Sequence, residues 1–211
     1  MVKLFTRKRE NWYKYLFHKL DTRFEEFDKN SLSVLTFNYD RSLEHFLYTA
    51  LLNTYGKTER ECVEKLRALP IIHLYGQLGE LPYINTDGIR FDGTVNADKL
   101  RKCVEGIKII HEDVSGNPRF QQAQELLAKA ERICFLGFGY DQTNLERLMV
   151  RVTNRDQHIC GSAVGFRSRE CQFIENRIKK MGFKNLTSIA SYHDCGDTID
   201  FLREMCPLDW D

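Results

Sequence analysis

The 211-residue chain has 42% hydrophobic residues and a formal net charge of +1. This apolar content is sufficient to bury a core. The balanced charge gives no electrostatic basis for binding nucleic acid or membrane surfaces. No apolar run is long enough to span a bilayer, and the N-terminus is too charged for a signal peptide. Seven scattered cysteines without a CxxC pair predict a reduced, cytoplasmic protein with no zinc ribbon and no metal site.

Helix and strand patterns alternate through the first half of the chain. Apolar residues at helical spacing predict a helix over 11–27, followed by the buried strand "SVLTF". Asp40 is expected to cap a helix that ends at Gly56. A charged helix over 58–69 leads to the strand "IIHLY", and the glycine-rich residues 76–95 are expected to form a loop. A helix at "NADKLRKCV" and a strand at "GIKII" complete this half.

The second half alternates more regularly. Asn117 and Pro118 are a cap and first-position pair for a helix that leads to the strand "RICFLGF". Asp141 is expected to cap the next helix, and Ser168 the helix after the strand "HICGSAVGF". A weak strand "LTSIA" and a helix that begins at Asp197 come last.

This alternation predicts an α/β fold with a doubly wound parallel sheet. The chain contains no internal repeat and no clear linker. We therefore expect a single domain over 1–211, with an N-terminal helical segment over 1–30 and an α/β core over 31–211.

Three predicted strand ends carry side chains suited to ligand binding or chemistry: "TFNYD", "HLYG" and "LGFGYDQTN". In an open parallel sheet, ligands bind beyond the carboxyl ends of the strands. Glycines in the last segment let the backbone approach a phosphate or ribose closely, and the helix after Asp141 presents free N–H groups. Neither GxGxxG nor GxxxxGK[ST] occurs, which excludes a standard Rossmann fingerprint and a P-loop.

Together these segments resemble the SIR2-like family, which includes sirtuin deacylases and NAD-hydrolysing domains of bacterial antiphage defence systems. "TFNYD" is similar to the family's TQN-x-D element, and "IIHLYGQLG" to its His-Gly element. "LGFGYDQTNLERL" is similar to the Gly-rich segment that lies along the NAD ribose and phosphate. The resemblance covers residues 31–204, and it implies a Rossmann-like fold that binds NAD.

The resemblance also implies hydrolysis of NAD with release of nicotinamide. Asn38 would position water and ribose, because an amide both donates and accepts hydrogen bonds. Asp40 would support the nicotinamide side, and His73 or Tyr75 would contact a ribose hydroxyl. The residues implied to bind the cofactor are Thr36, Phe37, Gly76, Gly137, Phe138, Gly139, Tyr140 and Asn144.

Two departures from the family pattern affect these roles. The family's GAG-x-S phosphate loop has no counterpart among the 37 residues before Asn38, which contain no glycine. We expect the first strand–loop unit to be missing, because the chain is a fragment, has a misplaced start or is naturally shortened. Tyr75 stands where the family has its histidine, and His73 lies about 6–7 Å away along the strand. Two of these residues also have a purely structural interpretation, in which Asp40 is a helix cap and His73 is a hydrogen-bonded histidine of the core.

Several functions therefore stay open. The leading hypothesis is an NAD-hydrolysing SIR2-like domain, alone, as a homo-oligomer or within a larger effector assembly. The alternative is a catalytically degenerate module that binds a nucleotide or another protein. NAD-dependent protein deacylation is less favoured, because residues 77–129 contain only Cys103 instead of the four-cysteine zinc module that sirtuin deacylases carry.

Overall fold

The computed structural model describes residues 11–20, 22–91, 96–107, 116–149, 156–191 and 197–206. The chain divides into two units. We call Leu20–Ala123 the first unit, and Met1–Lys19 with Gln124–Asp211 the second unit. The prediction of a single domain over 1–211 stays a prediction.

Helices and strands alternate along the described residues. A 3-10 helix covers Phe24–Lys29. The α-helices are α1 (Trp12–Lys19), α2 (Ser42–Tyr55), α3 (Glu59–Ala68), α4 (Ala97–Glu105), α5 (Pro118–Lys129), α6 (Gln142–Met149), α7 (Ser168–Lys180) and α8 (Thr198–Glu204). The strands are β1 (Val34–Thr36), β2 (Ile71–His73), β3 (Arg132–Phe135), β4 (His158–Ala163) and β5 (Asn185–Ser191).

The first unit contains a parallel pair of strands, β1 and β2, in which Thr36 is the register partner of His73. Both strands therefore end at the same edge, and α2 begins six residues after β1 ends. Helix α2 ends at Gly56, whose φ of 59° is in the left-handed region that glycine adopts at no steric cost. Helix α3 begins with a capping box between Thr58 and Glu61.

A buried arginine holds the long loop that follows β2. Arg41 is only 7% exposed. Its guanidinium donates hydrogen bonds to the carbonyl oxygens of Glu80, at 3.0 Å, and Ile89, at 2.7 Å. Burial lowers the pKa of Arg41 below its ordinary value. The hydrogen bonds compensate for part of the cost of burying this charge, and they fix two points of a loop whose described residues, up to 91, contain no strand after β2.

The second unit contains a three-stranded parallel sheet in the order β3-β4-β5. On one face, Phe201 and Leu202 of α8 pack against Cys160 and Ala190. Helix α1 joins this layer, and the Tyr15 hydroxyl donates a hydrogen bond to the Leu202 carbonyl at 3.4 Å. Gly161, which follows Cys160 on β4 and is therefore on the other face, lies against the Tyr140 side chain of the loop after β3.

The predicted α/β class with parallel strands is confirmed. The strands form two separate sheets among the described residues, of two and three strands, and a doubly wound, SIR2-like arrangement stays a prediction. The structure confirms the helices at α2 to α8 and the cap at Asp141, and the last helix, predicted from Asp197, begins at Thr198 with Asp197 as its N-cap. Of the predicted strand "GIKII", Ile107 forms an isolated bridge with Gly76, and 108–110 lie outside the described residues.

Two local predictions are wrong. The single helix predicted over 11–27 ends at Lys19, and a 3-10 helix follows. Phe24 and Phe27 are both buried, and a 3-10 turn aligns residues three apart on one face. Helix α7 begins at Ser168, so the residue that precedes it, and not Ser168, is the N-cap.

None of the helices in the described ranges combines the length and the apolar character that crossing a membrane requires. The longest, α2, has 14 residues, whereas about 20 apolar residues span a bilayer.

The Arg41 contacts generate a prediction about stability. Arg41→Met leaves two carbonyl oxygens without their donor, and hydrogen bonds to a charged group contribute about 1.5–3 kcal/mol each. We expect the free energy of unfolding, measured by urea denaturation, to fall by about 3 kcal/mol. Arg60→Met is the matched control, because the Arg60 side chain is 90% exposed and its ion pair is with a surface glutamate. Equal losses in the two variants would contradict the role of Arg41.

Candidate functional site

The end of β1 places an exposed amide beside a capping carboxylate. Asn38 is exposed, and its backbone N–H donates to the Thr36 hydroxyl at 3.0 Å. Asp40 accepts hydrogen bonds from the Ser42 backbone N–H, at 3.0 Å, and from the Ser42 hydroxyl. The pKa of Asp40 is lowered, first by the Ser42 hydroxyl and also by the charge of His73. Asp40 is thus an ionised carboxylate that orders the start of α2.

His73 is a buried histidine with both ring nitrogens engaged. The side chain is 2% exposed. Nδ1 lies 2.7 Å from the Asn38 carbonyl oxygen, and because a carbonyl only accepts, Nδ1 carries a hydrogen. Nε2 lies 2.5 Å from the carboxylate of Glu44 on α2, so a hydrogen bond joins these two atoms. This geometry matches the interpretation of His73 as a hydrogen-bonded histidine of the core. For a catalytic role, Nε2 has to release Glu44 and contact the substrate instead.

Packing explains why a tyrosine is at position 75 and a glycine at position 76. The Tyr75 ring is 1% exposed and lies between Phe37 and Phe120, with centroid distances of 5.7 and 5.5 Å. Gly76 has a φ of 96°, and a Cβ there would overlap the Gly106 carbonyl oxygen. The ribose and cofactor roles of these residues stay predictions.

Ser162 holds both ends of residues 137–140, which follow β3 in the second unit. The Gly137 N–H donates to the Ser162 hydroxyl at 2.9 Å. The Tyr140 hydroxyl donates to the Ser162 carbonyl oxygen at 3.1 Å. Ser162 itself is 1% exposed. We call residues 137–140 the anchored loop, because these two hydrogen bonds fix its conformation.

Tyr140 has a strained backbone that its side chain stabilises. Its φ of 50° is in the left-handed region, which residues other than glycine rarely adopt. The ring is buried against Phe135 and Phe166, and burial raises the pKa of its hydroxyl. A Cβ at Gly161 would overlap that hydroxyl, so a glycine on β4 makes room for the ring.

A groove of about 360 Å³ lies beside the anchored loop, within the second unit. Gly139 borders it, and a Cβ at this glycine would meet nothing within 4 Å. Its φ is also outside the left-handed region, so neither packing nor backbone geometry requires glycine there. The lining residues are Gly139, Tyr140, Phe166, Arg169, Glu170, Phe173, Ile174 and Arg177.

Two arginines and an exposed phenylalanine give the groove its chemistry. The Arg177 guanidinium donates to the Tyr140 carbonyl oxygen at 3.2 Å, which uses one of its five N–H groups. It also lies over the Phe173 ring, 5.1 Å from the centroid. Phe173 is 63% exposed, and Arg169 is exposed in the first turn of α7. Guanidinium groups and an open aromatic face suit a ligand that has both phosphate and a planar ring.

The predicted site residues belong to two units, each described by itself. Thr36, Phe37, Asn38, Asp40, His73, Tyr75 and Gly76 belong to the first unit. Gly137, Phe138, Gly139, Tyr140 and Asn144 belong to the second unit. Of the latter set, Gly139 and Tyr140 line the groove, Phe138 packs on Phe135 at 5.2 Å, and Asn144 lies in the first turn of α6.

The sequence reasoning missed the groove residues of α7. Arg169, Phe173 and Arg177 are spaced by four residues and therefore share one helix face. An exposed phenylalanine between two arginines on that face was the signal that would have found them.

Comparison of the chain with protein-family models, with curated proteins and with solved structures finds no match in any of the three.

Proposed function

We propose that this chain binds an NAD-type nucleotide in the groove beside the anchored loop. The observation that carries the proposal is Gly139, a glycine at the groove wall for which the fold has no need. A glycine of this kind lets a ligand lie directly against the backbone. The groove volume of about 360 Å³ is within the usual range of about 300–1,000 Å³ for small-molecule sites.

The phosphates of the nucleotide would lie near Arg169 and Arg177. Both guanidinium groups border the groove, and only Glu170 among its lining residues carries a negative charge. Arg169 is also in the first turn of α7, where the helix dipole favours anions. The anionic part of the ligand is thus favoured by two sources of positive potential.

An aromatic ring of the ligand would stack on Phe173 or Phe166. Stacking of a base on an aromatic side chain contributes about 1–3 kcal/mol. The 63% exposure of Phe173 is unfavourable in water, and a stacked base would cover that surface. The similarity of "LGFGYDQTN" to the Gly-rich NAD segment of SIR2-like proteins supports a dinucleotide of the NAD type.

The proposal is tested by calorimetric titration of the full chain with NAD and with ADP-ribose. Gly139→Ala places a methyl group in the groove, and we expect at least tenfold weaker ADP-ribose binding with an unchanged melting temperature. Arg169→Gln is expected to weaken binding by about tenfold or more, since it removes a charge-assisted hydrogen bond of about 1.5–3 kcal/mol.

Lys180→Gln is the matched control, because Lys180 is an exposed cation on the same helix outside the groove lining. It should bind ADP-ribose as the unmodified chain does. Absence of binding at millimolar ADP-ribose, or equal affinity in Gly139→Ala, would refute the groove as the nucleotide site.

Hydrolysis of NAD is the second candidate function, and the first unit favours it. At adjacent parallel strand ends, the exposed residue Asn38 accepts a hydrogen bond at its backbone carbonyl from the buried His73, which also contacts Glu44. The Asn38 amide can hold a water, and His73 can take up a proton once its Nε2 exchanges Glu44 for substrate. In the reaction, the nicotinamide–ribose bond breaks, water attacks the ribose carbon, and ADP-ribose, nicotinamide and a proton are released.

Release of nicotinamide by the full chain tests this candidate directly. Asn38→Ala should abolish turnover and leave the circular dichroism spectrum unchanged, because the Asn38 side chain is exposed. Asn53→Ala, at an exposed position of α2, is the control and should retain full turnover. Binding of ADP-ribose without any nicotinamide release from NAD would instead favour the catalytically degenerate nucleotide-binding module.

A further inference from the structure

Three cysteines that are far apart in the sequence meet in the second unit. The sulfur atoms of Cys134, Cys160 and Cys206 all lie within 4.8 Å of one another. Cys134 and Cys160 are register partners on β3 and β4, so their side chains lie on the same face of the sheet. Cys206 follows α8, the helix that packs on that face. Three separate elements thus direct their thiols to one point.

The surroundings of the three sulfurs are apolar and largely dry. The cluster contains Ala190, Phe201 and Leu202, with Trp12 and Met205 packed against it. All three cysteines carry free thiols, and Cys160 and Cys206 are 8% and 7% exposed.

We propose that Cys134, Cys160 and Cys206 bind one thiophilic metal ion, of which Zn²⁺ and Cu⁺ are the representatives. Convergent thiolates select these soft ions over the hard cations that prefer oxygen. On binding, three metal–sulfur bonds form, and each cysteine that binds as a thiolate releases its proton. Carboxylate and imidazole ligands are absent from the cluster among the described residues, so the ligand set consists of sulfur.

Charge and coordination number distinguish the two ions. Three thiolates leave a net charge of −1 with Zn²⁺ and of −2 with Cu⁺. Zn²⁺ prefers four ligands, one more than the three cysteines supply. Cu⁺ is a soft ion that both thiolate and thioether sulfurs bind. The thioether of Met205 is in the same cluster.

The observed spacing suits either ion after a small contraction. A tetrahedral centre with metal–sulfur bonds of about 2.3 Å separates its sulfurs by about 3.8 Å. The sulfurs are within 4.8 Å of one another, so each sulfur–sulfur distance has to shorten by about 1 Å or less.

The test is titration of the reduced, metal-free full chain under anaerobic conditions, once with Zn²⁺ and once with Cu⁺, against a chromophoric competitor. We expect one equivalent of at least one ion to bind, with a rise in melting temperature. X-ray absorption of the loaded protein should show a first shell of sulfur.

Variants separate this site from adventitious binding. Cys206→Ser, at the end of α8, should weaken metal binding by at least 100-fold and keep its circular dichroism spectrum. Cys62→Ser, which changes a buried cysteine of α3 in the first unit, should bind metal as the unmodified chain does. Cys134→Ser provides a second test on β3. The proposal is overturned if neither ion binds, or if Cys206→Ser and Cys134→Ser bind metal unchanged.

Discussion

The groove of the second unit depends on one buried serine. Ser162 accepts a hydrogen bond from the Gly137 N–H at its hydroxyl and another from the Tyr140 hydroxyl at its carbonyl oxygen. These two contacts keep Tyr140 in a left-handed backbone conformation, which costs about 1–3 kcal/mol in isolation. These contacts below the loop hold the strained conformation in place. Gly139 therefore remains at the surface with open space beside it. A ligand would therefore meet a wall that is already in place.

A comparable constraint operates in the first unit. His73 links the end of β1, through the Asn38 carbonyl, to α2, through Glu44. The histidine thus fixes the backbone from which the Asn38 amide projects. In both units a buried polar residue near the end of one strand fixes the segment that follows the neighbouring strand.

Much of the fold follows from local signals in the sequence. The caps at Asp141 and Asp197 and the glycine stop at Gly56 act within one turn of chain. The groove was missed because Arg169, Phe173 and Arg177 are on the helix face beside the apolar stripe, and an arginine-rich face is usually only solvated. The meeting of Cys134, Cys160 and Cys206 has no sequence signal, because strand register and the packing of α8 bring them together.

The most direct test of this account is amide chemical-shift mapping of the isotopically labelled full chain with ADP-ribose. The account predicts that the largest shifts occur at Gly139 and Tyr140 and in the first three turns of α7, and that Gly139→Ala suppresses them. The account would be contradicted if saturating ADP-ribose shifted no amide resonance of the groove. It would also be contradicted if the largest shifts occurred in another part of the described chain.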